Sequence, residues 1–472
     1  MSRMRRFILL FLLAYTSTSI LFLSLVAENN YFGKYGWSNV KEAPSISSGV
    51  WRLRDNPGSR SISKFGSQWR RVNISYPVMD SCSDDVKYNS RLEDVYVLLT
   101  KSITLYSAYY DAREDIPVIR IISTVKPEKK EVRLWCHFDS ERGSGASNTS
   151  CVTPVSYYQM CENHKREIGG WILSCQVPKC YVDKGRQPCV VSVSLSPKES
   201  STNSVEMSIL TTERSPQETQ VDFAVCVPPL FGKIRKDQIV QFVELTRMLG
   251  ANHFMFYVHD VKPNVKEVLK HYESLGIATI RKWAVPSKSP RSIWYHGQSL
   301  AINDCLYRHM ANVQYLVFND VDEFLIPHGP DMRTWRDIVT SQHSFTNTCA
   351  MTFKSAFFDL AFRNNQDFVV RNVSVLDITT RAESYCEFRN KVMVVPYKVF
   401  EMGIHHVSRP WPDVANYSVV DVSPQTAYIH HYRPCKSFSW ICIHGQIDTT
   451  LVDKYGEEFF INYNRTMNII PD

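Results

Sequence analysis

Asp320-Val321-Asp322 is the only Asp-x-Asp in the chain, and it follows an apolar run, Tyr315-Leu316-Val317-Phe318, that reads as a strand. On extended backbone, residues two apart project to the same side, so the spacing predicts that Asp320 and Asp322 converge while Val321 points inward. Two converging carboxylates suit magnesium or manganese, hard cations commonly held by protein carboxylates together with substrate phosphates. A cation so placed neutralises the charge that builds on a departing diphosphate. The same triplet in a solvated turn has no such chemistry, so its meaning depends on the elements around it.

Other polar clusters carry less. His405-His406 resembles a metal pair only on paper, because adjacent residues on a strand diverge. Cys175 and Cys180 lack a second cysteine pair at zinc-finger spacing. The turn Pro228-Pro229-Leu230-Phe231-Gly232-Lys233 has neither the glycine pattern of dinucleotide folds nor that of P-loops, which argues against a nicotinamide enzyme or an ATPase.

The elements that must position the triplet begin after Gln220, where apolar strands and amphipathic helices alternate as in a parallel sheet with crossover helices. Phe223–Val227, His253–His259, Ile277–Val285 and Tyr315–Phe318 are the predicted strands. Ile239, Phe242, Val243, Thr246 and Leu249 form one helical stripe that stops at Gly250; Val265–Leu275 stops at Gly276, and a third helix spans about Gly297–Met310. In such α/β sheets ligands bind at the carboxyl ends of the strands, where the acidic triplet falls.

Upstream, short β-rich runs recur between 91 and 215: Val95–Leu99, Ile116–Thr124, Val132–Phe138, Trp171–Val177, Val190–Leu195 and Val205–Leu210. Their spacing predicts a β-sandwich-like accessory module, stapled by some of the six cysteines from Cys136 to Cys189, with the pairing open. Residues 28–90, polar and without an apolar period, read as a stem despite Trp51 and Trp69.

Phe7–Ala27 has no charged side chain and as a helix would span about 30 Å of hydrocarbon. Arg3, Arg5 and Arg6 precede it, so residues 1–6 are the expected cytoplasmic tail and 7–27 a transmembrane signal-anchor of type II topology. A cleaved signal peptide is the competing reading, with Leu25 a poor fit to the cleavage motif. Thirteen cysteines and five Asn-x-Ser/Thr sequons, at Asn73, Asn148, Asn372, Asn416 and Asn464, agree with an oxidising lumen. A net charge of +7, part of it in the tail, gives no support to nucleic-acid binding.

From Phe223 to about Arg433 the chain resembles glycosyltransferase family 92. The resemblance is carried by Cys226-Val227-Pro228-Pro229-Leu230-Phe231-Gly232-Lys233, His253-Phe254-Met255-Phe256-Tyr257, His296-Gly297-Gln298 with Asn303-Asp304-Cys305, Asn319 to Phe324, and His430-His431-Tyr432-Arg433. It implies an α/β GT-A-type, Rossmann-like mixed sheet over 220–472 with helices on both faces, a divalent metal such as Mn2+, and inverting transfer from a nucleotide sugar, mainly UDP-galactose, to a glycan acceptor on an N-glycan or other glycoconjugate in the Golgi. Carried onto this sequence, it makes Asp320 and Asp322 metal and diphosphate residues and a histidine of the last motif the third ligand. Tyr428–Tyr432 alternates as a strand, so only one of His430 and His431 is expected to face the metal, and His431 is taken as that residue.

Lys233, Arg235 and Arg433 are candidates for the diphosphate, and Pro228 and Asp260 join them as donor-binding positions. Inversion needs a base on the acceptor hydroxyl, for which Glu323, Asp359 and Glu383 are available and spacing does not choose. The competing function is a catalytically inactive, membrane-anchored lectin or adhesion protein. A glycan hydrolase is a third, with no identifiable acid–base pair.

Overall fold

The computed structural model describes Cys82 and residues 96–470 apart from 128–131, 139–150, 199–203, 214–220, 286–291, 343–346, 360–372, 413–415 and 436–440. The anchor at 7–27, Trp51, Trp69 and the sequons at Asn73, Asn148 and Asn372 lie outside the described residues; Asn416 is exposed and Asn464 half-buried. Among the described residues no helix is long and apolar enough to cross a membrane.

The C-terminal half is built on a mixed sheet whose first strands run in the order Ala278–Lys282, His253–Asp260, Val221–Phe231, Val313–Phe318, all parallel. The sheet continues antiparallel through Cys386–Val394 to Thr348–Phe358. Glu323–Pro327 and Ala427–Tyr432 join it, the latter parallel to Thr348–Phe358. This is a mixed α/β sheet, four parallel strands continued by antiparallel ones. The parallel strands read as continuous apolar runs because helices cover both faces.

The helices Lys236–Met248, Pro263–Ser274 and Thr450–Ile469 pack together on one face. Gln298–Arg308 packs on Val221–Phe231 and also against the upstream β-module, which explains why every one of its residues is buried despite its amphipathic sequence. Gly250 and Gly276 end their helices at φ 118° and 73°, conformations that favour glycine.

The upstream module is one nine-stranded sheet, and the strand Ser204–Thr211 pairs with Val190–Ser194 on one side and Ile103–Asp111 on the other. The disulfide Cys136–Cys175 joins Trp135–Phe138 to Gly169–Gln176, strands near opposite ends of the sheet order, so the sheet folds over its own apolar core. Strands Ile103–Asp111, Cys151–Pro154 and Ser156–Gln159 were not among the predicted runs; the last two are half-exposed, four-residue edge segments without an apolar period.

The cysteines correct one expectation and settle a pairing that the sequence left open. Cys82, placed in the stem by composition, is buried and bonded to Cys189, so the fold reaches back to it. Of the six cysteines from Cys136 to Cys189, Cys151 pairs with Cys180 while Cys161 is free; Cys349 and Cys386 are also free. Cys226–Cys305 staples the first parallel strand to the buried helix, and Cys435–Cys442 closes a late loop.

The module and the α/β half belong to one compact unit, Val72–Asp472. Their seam is organised by Asp304, whose carboxylate accepts hydrogen bonds from Ser107 Oγ (2.5 Å), Tyr109 OH (2.6 Å), Tyr257 OH (2.5 Å) and Arg308 Nε (2.7 Å). Burial would raise this carboxyl; Arg308 and Arg281, with the hydroxyl donors, hold it well below the ordinary range.

Candidate active site

The acidic triplet lies where Val313–Phe318 ends and Glu323–Pro327 begins, and the chain between them turns. Glu323 N–H donates to Asp320 O (3.1 Å), and Asp320 N–H donates back to the Glu323 carboxylate (3.1 Å). This corrects the extended geometry expected from the sequence. The two aspartates share a tight turn, and Val321 is half-exposed rather than pointing into the protein.

Three neighbouring strands complete the site. Glu323 pairs with His431 across one strand boundary and Phe357 pairs with His431 across the other. His431 Nε2 thereby lies 3.6 Å from Asp322 Oδ2, and its Nδ1 lies 3.3 Å from Glu323 Oε1. His430, the next residue, points the other way, with Nε2 2.8 Å from His328 Nε2. His405 sits electrostatically beside Asp320 and Lys391, whereas His406 turns toward Glu162 (4.0 Å), so this adjacent pair also diverges.

Lys391 is the residue that sequence reasoning missed. From the strand Cys386–Val394 its buried Nζ reaches Asp320 Oδ2 (2.9 Å) and Glu323 Oε2 (2.8 Å). Its only sequence signal is a lysine opening an otherwise apolar run, Lys391-Val392-Met393-Val394-Val395. Burial alone would raise the Asp320 carboxyl, but the Lys391 ammonium overrides it and holds Asp320 at about 2. Asp322 is also held down, against burial, chiefly by His431. Glu323 goes the other way: burial raises it, and the two aspartates add to the effect against the pull of Lys391 and His431.

The donor set is therefore two ionised carboxylates, both still partly open to solvent, and a buried imidazole. Those groups fit a divalent cation of the manganese class, with room for phosphate oxygens on the open side.

The remaining predicted residues divide. Arg433, over the Phe357 ring at 5.9 Å, contributes positive charge at Asp322 and so belongs to this site. Lys233 is exposed at the end of the first strand. Arg235 ion-pairs with Asp237 (2.8 Å) and starts the Lys236–Met248 helix, a structural role. Pro228 is buried where the parallel register slips, and with no N–H it offers only a carbonyl. Asp260 is exposed at the end of its strand, beside His296. His296 packs its ring on Phe231 (4.3 Å) and His259 (4.2 Å), and the run Tyr295, His296, Gly297 is left-handed throughout at φ 39°, 54° and 79°. Asp359 accepts from Cys435 N–H (2.6 Å), which commits its carboxylate to the late loop. Glu383 is exposed beyond the short strand Thr380–Ala382.

The sequence pattern of glycosyltransferase family 92 matches residues 221–469, more than half of the chain. The chain belongs to glycosyltransferase family 92. It is thus a glycosyltransferase. This family 92 chain is 25% identical over 400 residues to Beta-1,4-galactosyltransferase galt-1 of Caenorhabditis elegans, covering 80% of the chain and 86% of the relative. It is 27% identical over 131 residues to Galactan beta-1,4-galactosyltransferase GALS1 of Arabidopsis thaliana, covering 27% and 26%. Glycosyltransferase family 92 protein F13G3.3 of Caenorhabditis elegans is 22% identical over 224 residues, 44% and 41% of the two chains.

Within the family 92 chain, two of the matched motifs are architectural. Asn303 bonds Met402 through both its amide groups, Asp304 holds the seam, and Cys305 carries the staple to Cys226. The motifs at Asn319–Phe324 and His430–Arg433 converge on the turn.

Proposed function

We propose that this enzyme transfers galactose, or a related hexose, from its UDP derivative to a glycan hydroxyl with inversion, and that the reaction depends on a divalent cation held by Asp320, Asp322 and His431. The observation that carries the proposal is the cross-strand pairing of Glu323 with His431, which brings an imidazole to the same turn as two ionised aspartates. The names of galt-1 and GALS1 support galactose as the sugar.

When bound, manganese would supply charge neutralisation at the leaving diphosphate. Lys391 keeps Asp320 ionised and fixes the turn through Glu323. Arg433 offers its guanidinium to the phosphates on the Asp322 side, and Lys233 adds charge at the end of the first strand. Asp260 and the Phe231–His296 ring pair at the strand ends receive the nucleoside. Glu383 is assigned the role of base on the acceptor hydroxyl, since Asp359 is held by Cys435 and Glu323 by Lys391.

The chain is read as a type II protein of the Golgi with its catalytic domain in the lumen; five disulfides support an oxidising compartment. A screen of UDP-sugars with manganese and a glycan library tests the whole reading. UDP release with UDP-galactose is expected, whereas glycan binding without release from any donor would favour the lectin. Glu383→Gln should lower kcat and spare donor binding; unchanged kcat removes Glu383 from the mechanism.

A further inference from the structure

Behind the strand that carries His431, a second cluster of metal-ligating groups is assembled from three separate segments. His328 follows Glu323–Pro327, His430 lies in Ala427–Tyr432, and Asp448 follows the short strand Gly445–Ile447. Their ligand atoms all lie within 4.8 Å of one another. His328 Nε2 faces His430 Nε2 at 2.8 Å, and His430 Nε2 is 3.6 Å from Asp448 Oδ2. His430 is fully buried, while His328 is half-buried and leaves one side open.

We propose that His328, His430 and Asp448 form a zinc site, distinct from the Asp320–Asp322–His431 site, that clamps the C-terminal segment onto the strand carrying His431. Two imidazole nitrogens and one carboxylate are a donor set that zinc accepts, with a fourth position left to solvent on the His328 side. Ligand nitrogens of a tetrahedral zinc stand about 3.3 Å apart, so the two rings need to separate by only about half an ångström.

The groups behind the ligands are those that orient them. Thr450 Oγ1 lies 3.4 Å from His328 Nδ1, placed to accept that ring's N–H in the tautomer that leaves Nε2 free for a metal. The Tyr428 hydroxyl donates to Asp448 Oδ2, and Thr450 N–H donates to Oδ1 at 3.0 Å. The His328 ring is stacked on Tyr428 (3.9 Å) and the His430 ring on Phe358 (4.2 Å), which fixes both planes. Arg381 and Lys454 are positive charges that oppose a cation here: Arg381 Nε stands 3.7 Å from Asp448 Oδ2, with its other nitrogens on Ala382 O, Glu383 O and Gln446 Oε1, and Lys454 acts on His328.

A pair of neutral histidines sharing one proton is the metal-free alternative, and zinc content separates the two. The full chain is purified, given one equivalent of zinc, dialysed against zinc-free buffer and assayed by elemental mass spectrometry. The double variant Asp320→Asn/Asp322→Asn should retain one zinc per chain, and His328→Gln in that background should retain none. The same double variant, stripped with a chelator, should melt several degrees lower and recover with zinc but not manganese, a measurement that stands even if His328→Gln misfolds. No zinc in the double variant, or a Tm indifferent to zinc, overturns the proposal and assigns the cluster to a histidine–histidine hydrogen bond.

Discussion

Lys391 and Asp320, seventy-one residues apart in sequence, are joined by a 2.9 Å ion pair at the mouth of the candidate metal site. The same ammonium holds the fully buried Glu323 at 2.8 Å. One cation thus ties half-buried Asp320, a candidate ligand, to the buried carboxylate that pairs with His431.

Lys391→Met should therefore act on stability and on catalysis together. It leaves Glu323 buried without its counter-charge, a change worth about 3 kcal/mol or more when a buried pair loses one partner. A lowered Tm with a fall in manganese-dependent transfer is expected, and Lys391→Arg should recover part of both. Wild-type stability in the methionine variant would show that Glu323 does not rely on Lys391.

Arg433 touches the site by charge rather than by a ligand bond. Arg433→Ala should raise KM for the UDP-sugar about tenfold, the worth of about 1.5 kcal/mol for a hydrogen bond to a charged group, with little change in Tm. Donor kinetics at saturating acceptor check this, and an unchanged KM would place the guanidinium outside the phosphate site.

Asp304 governs the seam instead of the chemistry. Its carboxyl is depressed in the fold, so the stability it contributes is fully present above the unfolded value of about 3.9 and is lost as pH falls below that toward the folded value. Asp304→Asn should cost about 3 kcal/mol at neutral pH, and the gap to wild type should shrink as the wild-type carboxylate takes up its proton in acid. Urea unfolding of both proteins from neutral pH to below pH 4 measures it; a gap independent of pH would mean that the charge is not what holds the seam.

These residues also show what the sequence could carry. The parallel strands and their helices were legible because each is an apolar run or stripe, with Gly250 and Gly276 marking two helix ends, and His253–Asp260 and Val313–Phe318 differ from expectation by only one or two residues at an end. The triplet's turn was not, because an Asn-Asp-Val-Asp-Glu run is compatible with a strand end until Glu323 folds back on Asp320. Lys391 and Cys82 were missed for the same reason: their partners lie far away in sequence, and neither local period nor composition encodes a pairing across strands. Asp304 was picked out only by resemblance, and its role emerged from Ser107 and Tyr109, which belong to the other module.

The central claim is that Asp320, Asp322 and His431 act as one metal grip. Calorimetric titration of UDP into the purified chain, with and without manganese, tests it most directly. Binding that requires manganese in wild type, and that is lost in Asp322→Asn and in His431→Ala while each variant keeps a cooperative melt, is the predicted result. UDP binding of equal strength without manganese, or unchanged in both variants, would contradict the account.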